Sequence, residues 1–343
     1  MKLYIHSSSA ISPQPGFTDE GFPAQIRKPE SNRFDVVEPE YREWIDPKLI
    51  RRMSRIIRMG VAAAKKSLQT AKLEMPDAII TGTAYGCLED TGVFIQRMVE
   101  QGEEMLSPTA FIQSTHNTVA AQIALLLKCH NYNNTFVHRA FSFESALLDA
   151  ALLLEENPRQ KILVGAADEI TSYSYDILSR FDIYKKNEEV GDKLIGSGTT
   201  GTIAGEGSAF FVISGEKNDQ SISCIDDFAS LYKPVDAGET EKFIIDFLKS
   251  SDTDIKNVDL ILSGHNGDNK GDAIYDALQE KLFGGIPMRT FKNYCGEYPT
   301  AISFALWYAS LLISENAKGS PKKILIWNHY KGTHHSLILL SAC

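Results

Sequence analysis

The sequence has few cysteines and no apolar run long enough for a membrane span. Its five cysteines stand far apart and none forms a C-x-x-C pair, which argues against a disulfide framework or a zinc site. No stretch approaches the ~20 apolar residues that a membrane-spanning helix needs, and the N-terminal apolar run is too short for a signal peptide. We therefore expect a cytoplasmic protein without a bound metal.

Basic residues are not in excess, and this excludes a nucleic-acid-binding surface. The chain has 35 Lys and Arg against 44 Asp and Glu, a formal net charge of −9. Surfaces that bind nucleic acid need dense basic side chains to displace counterions from the phosphates. The one basic cluster, Arg51, Arg52, Arg55 and Arg58, is typical of a solvated helix face, with docking of an anion or an acyl carrier as the alternative.

The stretch from Thr135 to Glu156 predicts a strand, a tight turn and a buried helix in succession. This is the layout of a nucleophile elbow, in which the free N–H groups of the helix N-terminus face a pocket. The turn contains no cysteine. Ser142 is expected to cap the helix with its hydroxyl, and action as a nucleophile is the alternative.

Three segments of the first half recur in the same order in the second half. Residues 79–86, 141–154 and 161–169 are answered by residues 260–267, 295–312 and 322–332. The recurrence indicates two fused α/β halves related by pseudo-twofold symmetry, at residues 1–203 and 204–343. Apolar strands that alternate with apolar helices predict mostly parallel sheets covered on both faces. Two stacked halves then give a five-layered α/β/α/β/α sandwich.

Six segments in order resemble the β-ketoacyl synthases, the condensing enzymes with the thiolase fold. They are TGTAYGCLEDT at 81–91, SPTAFIQSTHNTVAAQIAL at 107–125, AGEGSAFFVIS at 204–214, SGHNGDNKGDA at 263–273, FKNYCGEYPTA at 291–301 and HYKGTHHSLIL at 329–339. The resemblance implies a thiolase-like fold and no cofactor beyond the phosphopantetheine of an acyl carrier protein, which brings the substrates. In that family an elbow cysteine holds the acyl chain, and two histidines assist decarboxylation of a malonyl unit.

The resemblance places the catalytic groups on residues that depart from the family's pattern. Lys292 matches the family's lysine and His265 its first histidine, but Glu297 stands at the second histidine. The nucleophile falls on Ala140 when counted back from the helix, or on Ser142 when the Cys-x-Ser-Gly pattern is matched. A serine needs an adjacent base to react, and a carboxylate opposes a developing enolate. Unless Glu297 pairs with Lys292 and has another role, the site should not condense acyl chains.

One leading function and two alternatives follow from the resemblance. The leading hypothesis is a chain-length-factor-like subunit of fatty-acid or polyketide-type biosynthesis, working with an acyl carrier protein. It forms a homodimer, or a heterodimer with an active ketosynthase, across the sheet edge near residues 135–137. ISPQ at 11–14 and VHRAFSFES at 137–145 also look like synthase-like proteins of aryl-polyene or flexirubin-type pathways. The alternatives are an acyltransferase or condensing enzyme that uses Ser142 or Cys295 with His265, and a small-molecule-binding protein with a retuned pocket.

Overall fold

The structure, a computed structural model, describes residues 1–17, 21–190, 194–196, 198–315 and 319–343. The strands are β1 Leu3–Ile11, β2 Arg33–Phe34, β3 Ala78–Gly82, β4 Tyr132–Phe136, β5 Ile162–Asp168, β6 Ala204–Gly205, β7 Gly207–Ser214, β8 Ser223–Tyr232, β9 Leu260–Ser263, β10 Met288–Thr290, β11 Lys323–Tyr330 and β12 His334–Ser341. The helices are α1 Pro47–Ile50, α2 Arg55–Thr70, α3 Leu88–Glu100, α4 Pro108–Gln113, α5 Thr118–Leu127, α6 Ser142–Glu156, α7 Ser172–Ser179, α8 Ala237–Ser250, α9 Asn269–Phe283, α10 Lys292–Cys295 and α11 Ile302–Ser314. No helix in this described part of the chain is both long and apolar enough to cross a membrane.

Ten strands form two runs of five with the same internal arrangement. The first run has the order β4-β3-β5-β7-β1 and the second β10-β9-β11-β12-β8. In each run the first two pairings between neighbouring strands are parallel and the last two are antiparallel. A short pairing of residues 3–5 with residues 223–225 links β1 to β8. The sheets are therefore mixed rather than mostly parallel, because β12 returns from β11 through a tight turn and β7 runs back beside β5.

The cores on the two faces of each run show the layers directly. A central core contains the apolar faces of α6 and α11 and one face of both strand runs. A second core packs α2 and α5 on the outer face of the first run, and a third packs α8 and α9 on the outer face of the second. The order is helices, strands, helices, strands, helices, so the predicted five-layered thiolase-like sandwich is confirmed.

The strand β7 departs from the predicted division of the chain. The sequence predicted that residues 204–214 open the second half, but β7 pairs with β1 and β5 in the first run. The short strand β6, just before it, pairs only with β2 among the described strands. A division into folding units at residues 203 and 204 stays a prediction.

Two predicted segments differ from the observed elements. The spacing of apolar residues predicts one helix from about Pro47 to Leu73, but α1 ends at Ile50 and α2 begins at Arg55. The basic cluster is divided by this break: Arg55 forms an ion pair with the fully buried Glu206, whereas Arg51 and Arg52 are exposed. The stretch from Tyr173 to Thr202 is polar and interrupted by glycines, which predicts a long loop. It nevertheless contains most of α7, where Thr171 and Ser174 form a capping box.

Candidate functional site

The elbow joins the edge strand β4 to the helix α6 through a single tight turn. A 3-10 turn at Arg139–Phe141 precedes the helix, and Arg139 has φ of +53°. A positive φ is uncommon for a non-glycine residue and occurs where the surrounding structure imposes it. His138 and Arg139 are exposed, whereas the candidate nucleophile position Ala140 is buried. Because Ala140 has only a methyl group, the turn presents no reactive atom there.

Ser142 is a structural residue of the turn. It is fully buried, and its hydroxyl lies 2.9 Å from the carbonyl of Thr83 and 2.7 Å from the carbonyl of Arg139. The same oxygen accepts the backbone N–H of His138 at 2.8 Å. The N-cap of α6 is Phe141. The expected capping bond from Ser142 to an N–H two or three residues later is therefore wrong, since this hydroxyl points backwards and holds the turn against β3.

Gly82, at the exit of β3, makes this contact possible. A Cβ atom at residue 82 would lie 2.5 Å from the carbonyl oxygen of Ser142, closer than real side-chain carbons approach such an atom. Only glycine lets the start of α6 pack so near the strand end. The glycine recognised in the sequence as a strand terminator thus positions the elbow.

Lys292 and Glu297 form a buried ion pair at the second candidate position. Lys292 Nζ lies 2.8 Å from Glu297 Oε2, and the exposed fractions of the two side chains are 0% and 4%. The ammonium also donates to the carbonyl of His329 at 2.8 Å. Burial raises the pKa of Glu297, and the Lys292 ammonium counteracts this. A buried ammonium needs a charged partner, so we describe the pair as ionised.

Asn266, rather than His265, completes this group. Asn266 Nδ2 donates to Glu297 Oε2 at 2.5 Å, and the backbone N–H of Asn266 donates to Asp272. The structure therefore brings Lys292 and Glu297 together with an amide in place of an imidazole. Sequence reasoning missed Asn266, although it lies directly after His265 in the same loop beyond β9.

His265 is held elsewhere. Its Nδ1 lies 2.7 Å from Ser263 Oγ and its Nε2 lies 3.2 Å from the exposed Asp276, while its ring contacts Tyr275. It does not line the cavity described below. The loop turns so that Asn266, and not His265, lines this cavity, and a catalytic role for His265 stays a prediction.

A polar cavity of about 780 Å³ leads from the surface to Glu297. Its inner wall includes Asn266, Glu297 and His329, and its outer wall includes Thr200 and Lys331. Glu297 also borders a small crevice with Tyr85, Tyr184 and Tyr330. Neither Ala140 nor Ser142 lines either space, so the cavity does not reach the elbow.

The three histidines near the C-terminus have separate partners. His329 Nε2 lies 2.8 Å from the carbonyl of Gly271, and burial holds its pKa well below the ordinary value. Burial also lowers the pKa of His335, to about 4, and its Nε2 lies 3.3 Å from the carbonyl of Gly332. His334 packs its ring against Phe141 of the elbow at 4.7 Å between centroids. Among the described residues, no group of three metal-ligating side chains comes together.

Cys87 and Cys295 were the two cysteines considered as displaced nucleophiles. Both are completely buried, and burial raises the pKa of each thiol. The Cys295 sulfur lies 3.3 Å from the carbonyl of Gly296 and does not line the cavity. Since the thiolate is the reactive form, neither position provides a ready nucleophile.

The sequence of the N-terminal part of the chain matches a known family. Residues 26–181 match the model of the β-ketoacyl synthase N-terminal domain. No curated protein matches the chain.

Solved structures of ketosynthases resemble the whole chain. The ishigamide ketosynthase/chain length factor has a TM-score of 0.77 at 16% identity, and the match covers 100% of this chain and 99% of that one. A β-ketoacyl synthase from Burkholderia phymatum gives the same TM-score and coverage at 14% identity.

Two solved complexes are also similar. A ketosynthase in complex with its chain length factor from Xenorhabdus doucetiae has a TM-score of 0.75 at 14% identity, covering 99% of this chain and 98% of that one. A type II polyketide synthase acyl-carrier protein in complex with its ketosynthase has a TM-score of 0.77 at 13% identity, covering 100% and 99%. This chain thus has the thiolase-like ketosynthase fold along its length, and its residues 26–181 match the model of the β-ketoacyl synthase N-terminal domain.

Proposed function

We propose that this chain is a non-condensing subunit that pairs with an active ketosynthase, as a chain length factor does. The observation that carries the proposal is the elbow, where Ala140 offers no reactive atom and Ser142 is buried with its hydroxyl engaged. At the second position a carboxylate replaces the donor that an enolate requires. Without a nucleophile at the elbow the site cannot hold an acyl chain covalently, and without the donor it cannot stabilise the enolate of the condensation step.

The edge of the first strand run supports a partner-binding role. The strand β4 is at the end of its run, and a β-strand edge presents unpaired N–H and C=O groups to another chain. Five apolar side chains on β4 and the flanking helices are between 44% and 69% exposed, and we call them the edge patch: Leu125, Tyr132, Val137, Leu148 and Leu152. Both α5 and α6 contact β4, so the patch borders one edge.

The substrate and the pathway belong to the same proposal. We infer that the complex of this chain with a ketosynthase elongates polyketide or aryl-polyene acyl chains delivered by an acyl carrier protein. The similar solved structures include a ketosynthase with its chain length factor and another with its acyl-carrier protein. A homodimer is the alternative assembly, and residence in the cytoplasm stays a prediction.

The rival enzymatic function uses Ser142 or Cys295 with His265. The contacts of these residues weigh against it, because Ser142 bonds to backbone groups of its own turn and His265 to Ser263 and Asp276. Burial raises the pKa of the Cys295 thiol. No reacting pair is assembled from them within the described residues.

Intact-mass measurement after incubation with acyl-carrier thioesters tests the proposal. We expect no covalent acyl adduct and no condensation of malonyl units by the chain alone. An adduct that disappears in Ser142→Ala or Cys295→Ala would establish the rival function. An active ketosynthase that has its elbow cysteine serves as the positive control for acylation.

A further inference from the structure

We propose that the cavity ending at Glu297 binds a small uncharged molecule through a hydroxyl or other hydrogen-bond donor, and that it disfavours a keto group at the same place. This inference rests on the proposed function, because it assumes that the site is not used for condensation. The proposed function does not say what this cavity binds, and the inference assigns a class of ligand to it.

One carboxylate oxygen of Glu297 has no hydrogen-bond partner among the described residues. Glu297 Oε2 accepts from Lys292 and Asn266, whereas Oε1 is buried and has no hydrogen-bond partner among the described residues. The side chain is only 4% exposed and lines the cavity. A buried acceptor without a donor has lost its hydration and gained nothing in exchange, which destabilises the folded protein. A ligand that donates to this oxygen removes that penalty.

The side-chain donors that reach Glu297 are directed at Oε2, which leaves Oε1 as the acceptor that sets the polarity of the ligand. Asn266 directs its amide N–H to Glu297, and its Oδ1 accepts from the backbone of Asp268. Lys292 donates to Glu297 and to the carbonyl of His329. His329 in turn uses Nε2 on the carbonyl of Gly271. The unmet requirement at Oε1 is therefore for a donor, and a keto oxygen cannot supply one.

The charges at the inner end favour an uncharged ligand. Lys292 balances Glu297 at 2.8 Å, so the carboxylate has its counterion. Lys331 also lines the cavity, and its charge interacts with that of Glu297. A cationic ligand would lie beside two ammonium groups, and like charges repel. A hydroxyl donates without adding charge.

Two esters that differ in one group provide the test. Methyl 3-hydroxybutanoate and methyl 3-oxobutanoate have similar size and no other strong donor, so their ratio of dissociation constants isolates the hydroxyl. We expect the hydroxy ester to bind the full-length protein at least fivefold more tightly in ligand-observed NMR titrations. Equal binding, tighter binding of the oxo ester, or binding of neither would overturn the inference.

Variants locate the preference in this cavity. In the double variant Glu297→Gln with Lys292→Met, the amide oxygen can still accept from Asn266 while its NH₂ faces the cavity, so we expect the preference to disappear or reverse. The matched control is Glu241→Gln, another carboxylate paired with a lysine, which lies outside the cavity and should leave the preference unchanged. Thr200→Trp changes an exposed residue of the cavity wall and should weaken both esters. Unchanged binding in Thr200→Trp would place the ligand elsewhere and contradict the inference.

The two proposals fail separately. Condensation of malonyl units by the chain alone would refute the proposed function, whatever the ester preference. Absence of the preference in a protein that does not condense would refute only this inference.

Discussion

Lys292 and Glu297 form a buried ion pair at the candidate site, and this pair also affects the stability of the folded protein. Each is nearly inaccessible to water, and each has its main charged partner in the other. Removing one member of a buried ion pair leaves an uncompensated charge, which costs more than the pair itself contributes. The role of Lys292 is therefore tied to that of Glu297.

Lys292→Met should destabilise the protein by ~3–5 kcal/mol, because it leaves the Glu297 carboxylate buried without its counterion. Urea unfolding measured by circular dichroism gives the free-energy change. The double variant Lys292→Met with Glu297→Gln should lose less than the single variant. The exposed pair of Lys281 and Glu241 serves for comparison, since Lys281→Met should cost at most about 1 kcal/mol. Equal losses for the two lysines would show that the buried pair is not coupled.

Glu144 makes stability depend on pH. It lies in the first turn of α6 and accepts a hydrogen bond from Ser336 of β12, and its second oxygen has no hydrogen-bond partner among the described residues. Burial raises its pKa from 4.5 to about 7. A carboxyl group with a raised folded-state pKa contributes stability that is present below the unfolded pKa and is lost as the pH rises through the folded pKa.

Glu144→Gln should therefore stabilise the protein relative to wild type increasingly between about pH 4.5 and pH 7, with no further gain above. The span corresponds to at most ~3 kcal/mol. Free energies of unfolding measured at several pH values test this. The side-chain amide of the variant keeps an acceptor for Ser336, so a difference that does not vary with pH would show that Glu144 does not titrate in this range.

The sequence predicted part of the site at residue level. Lys292 and Glu297 lie in contact, and this pairing is one of the alternatives that the sequence left open for Glu297. His265 and Asn266 are adjacent in the sequence, but their side chains point in different directions. The backbone conformation of the loop determines which of the two faces the cavity. Sequence pattern has no information on that direction, because no regular period applies to the residues after β9.

At the scale of elements, the internal repeat was the most informative signal. The matched segments correspond to β3 and β9, to α6 and α11, and to β5 and β11. These elements are apolar along most of their length, so their pattern reflects burial in the layers. The helix α7 was missed because it has no buried residue, and an exposed short helix lacks the apolar stripe that marks a helix in a sequence.

The edge strand β4 and its flanking helices give a prediction at this scale. Leu148→Glu should abolish association with a co-expressed ketosynthase, because a charge in the middle of a buried interface loses its hydration. Leu148 is 52% exposed in the chain alone, so the fold should not change. Size-exclusion chromatography with light scattering reads out the assembly. Val235→Glu is the control, since Val235 is 90% exposed and lies outside the edge patch; association that survives Leu148→Glu would rule out this edge.

At the scale of the whole molecule, the two strand runs share one core. The central core draws side chains from both runs and from the two helices between them. Asp168 joins the same halves through polar contacts, since Oδ1 accepts from Thr83 and Oδ2 accepts from Thr300. Repeats that stack in this way bury their apolar faces only against each other. The pseudo-symmetric order was predictable from the sequence, but the place of β7 in the first run was not.

The position of β7 in the first run predicts how fragments of the chain will fold. The fragment of residues 1–203 lacks β7, which lies between β1 and β5, so its run would be interrupted and one face of its sheet would lose the central core. We expect residues 1–203 and residues 204–343, produced separately, to show no cooperative unfolding transition in urea. The intact chain should unfold in one transition, because the runs are stabilised together. The fragment of residues 1–214 retains β7 and completes the first run, and it should therefore be the more compact of the two N-terminal fragments by size-exclusion chromatography. Cooperative unfolding of residues 1–203 would show instead that the first half is an independent folding unit without β7.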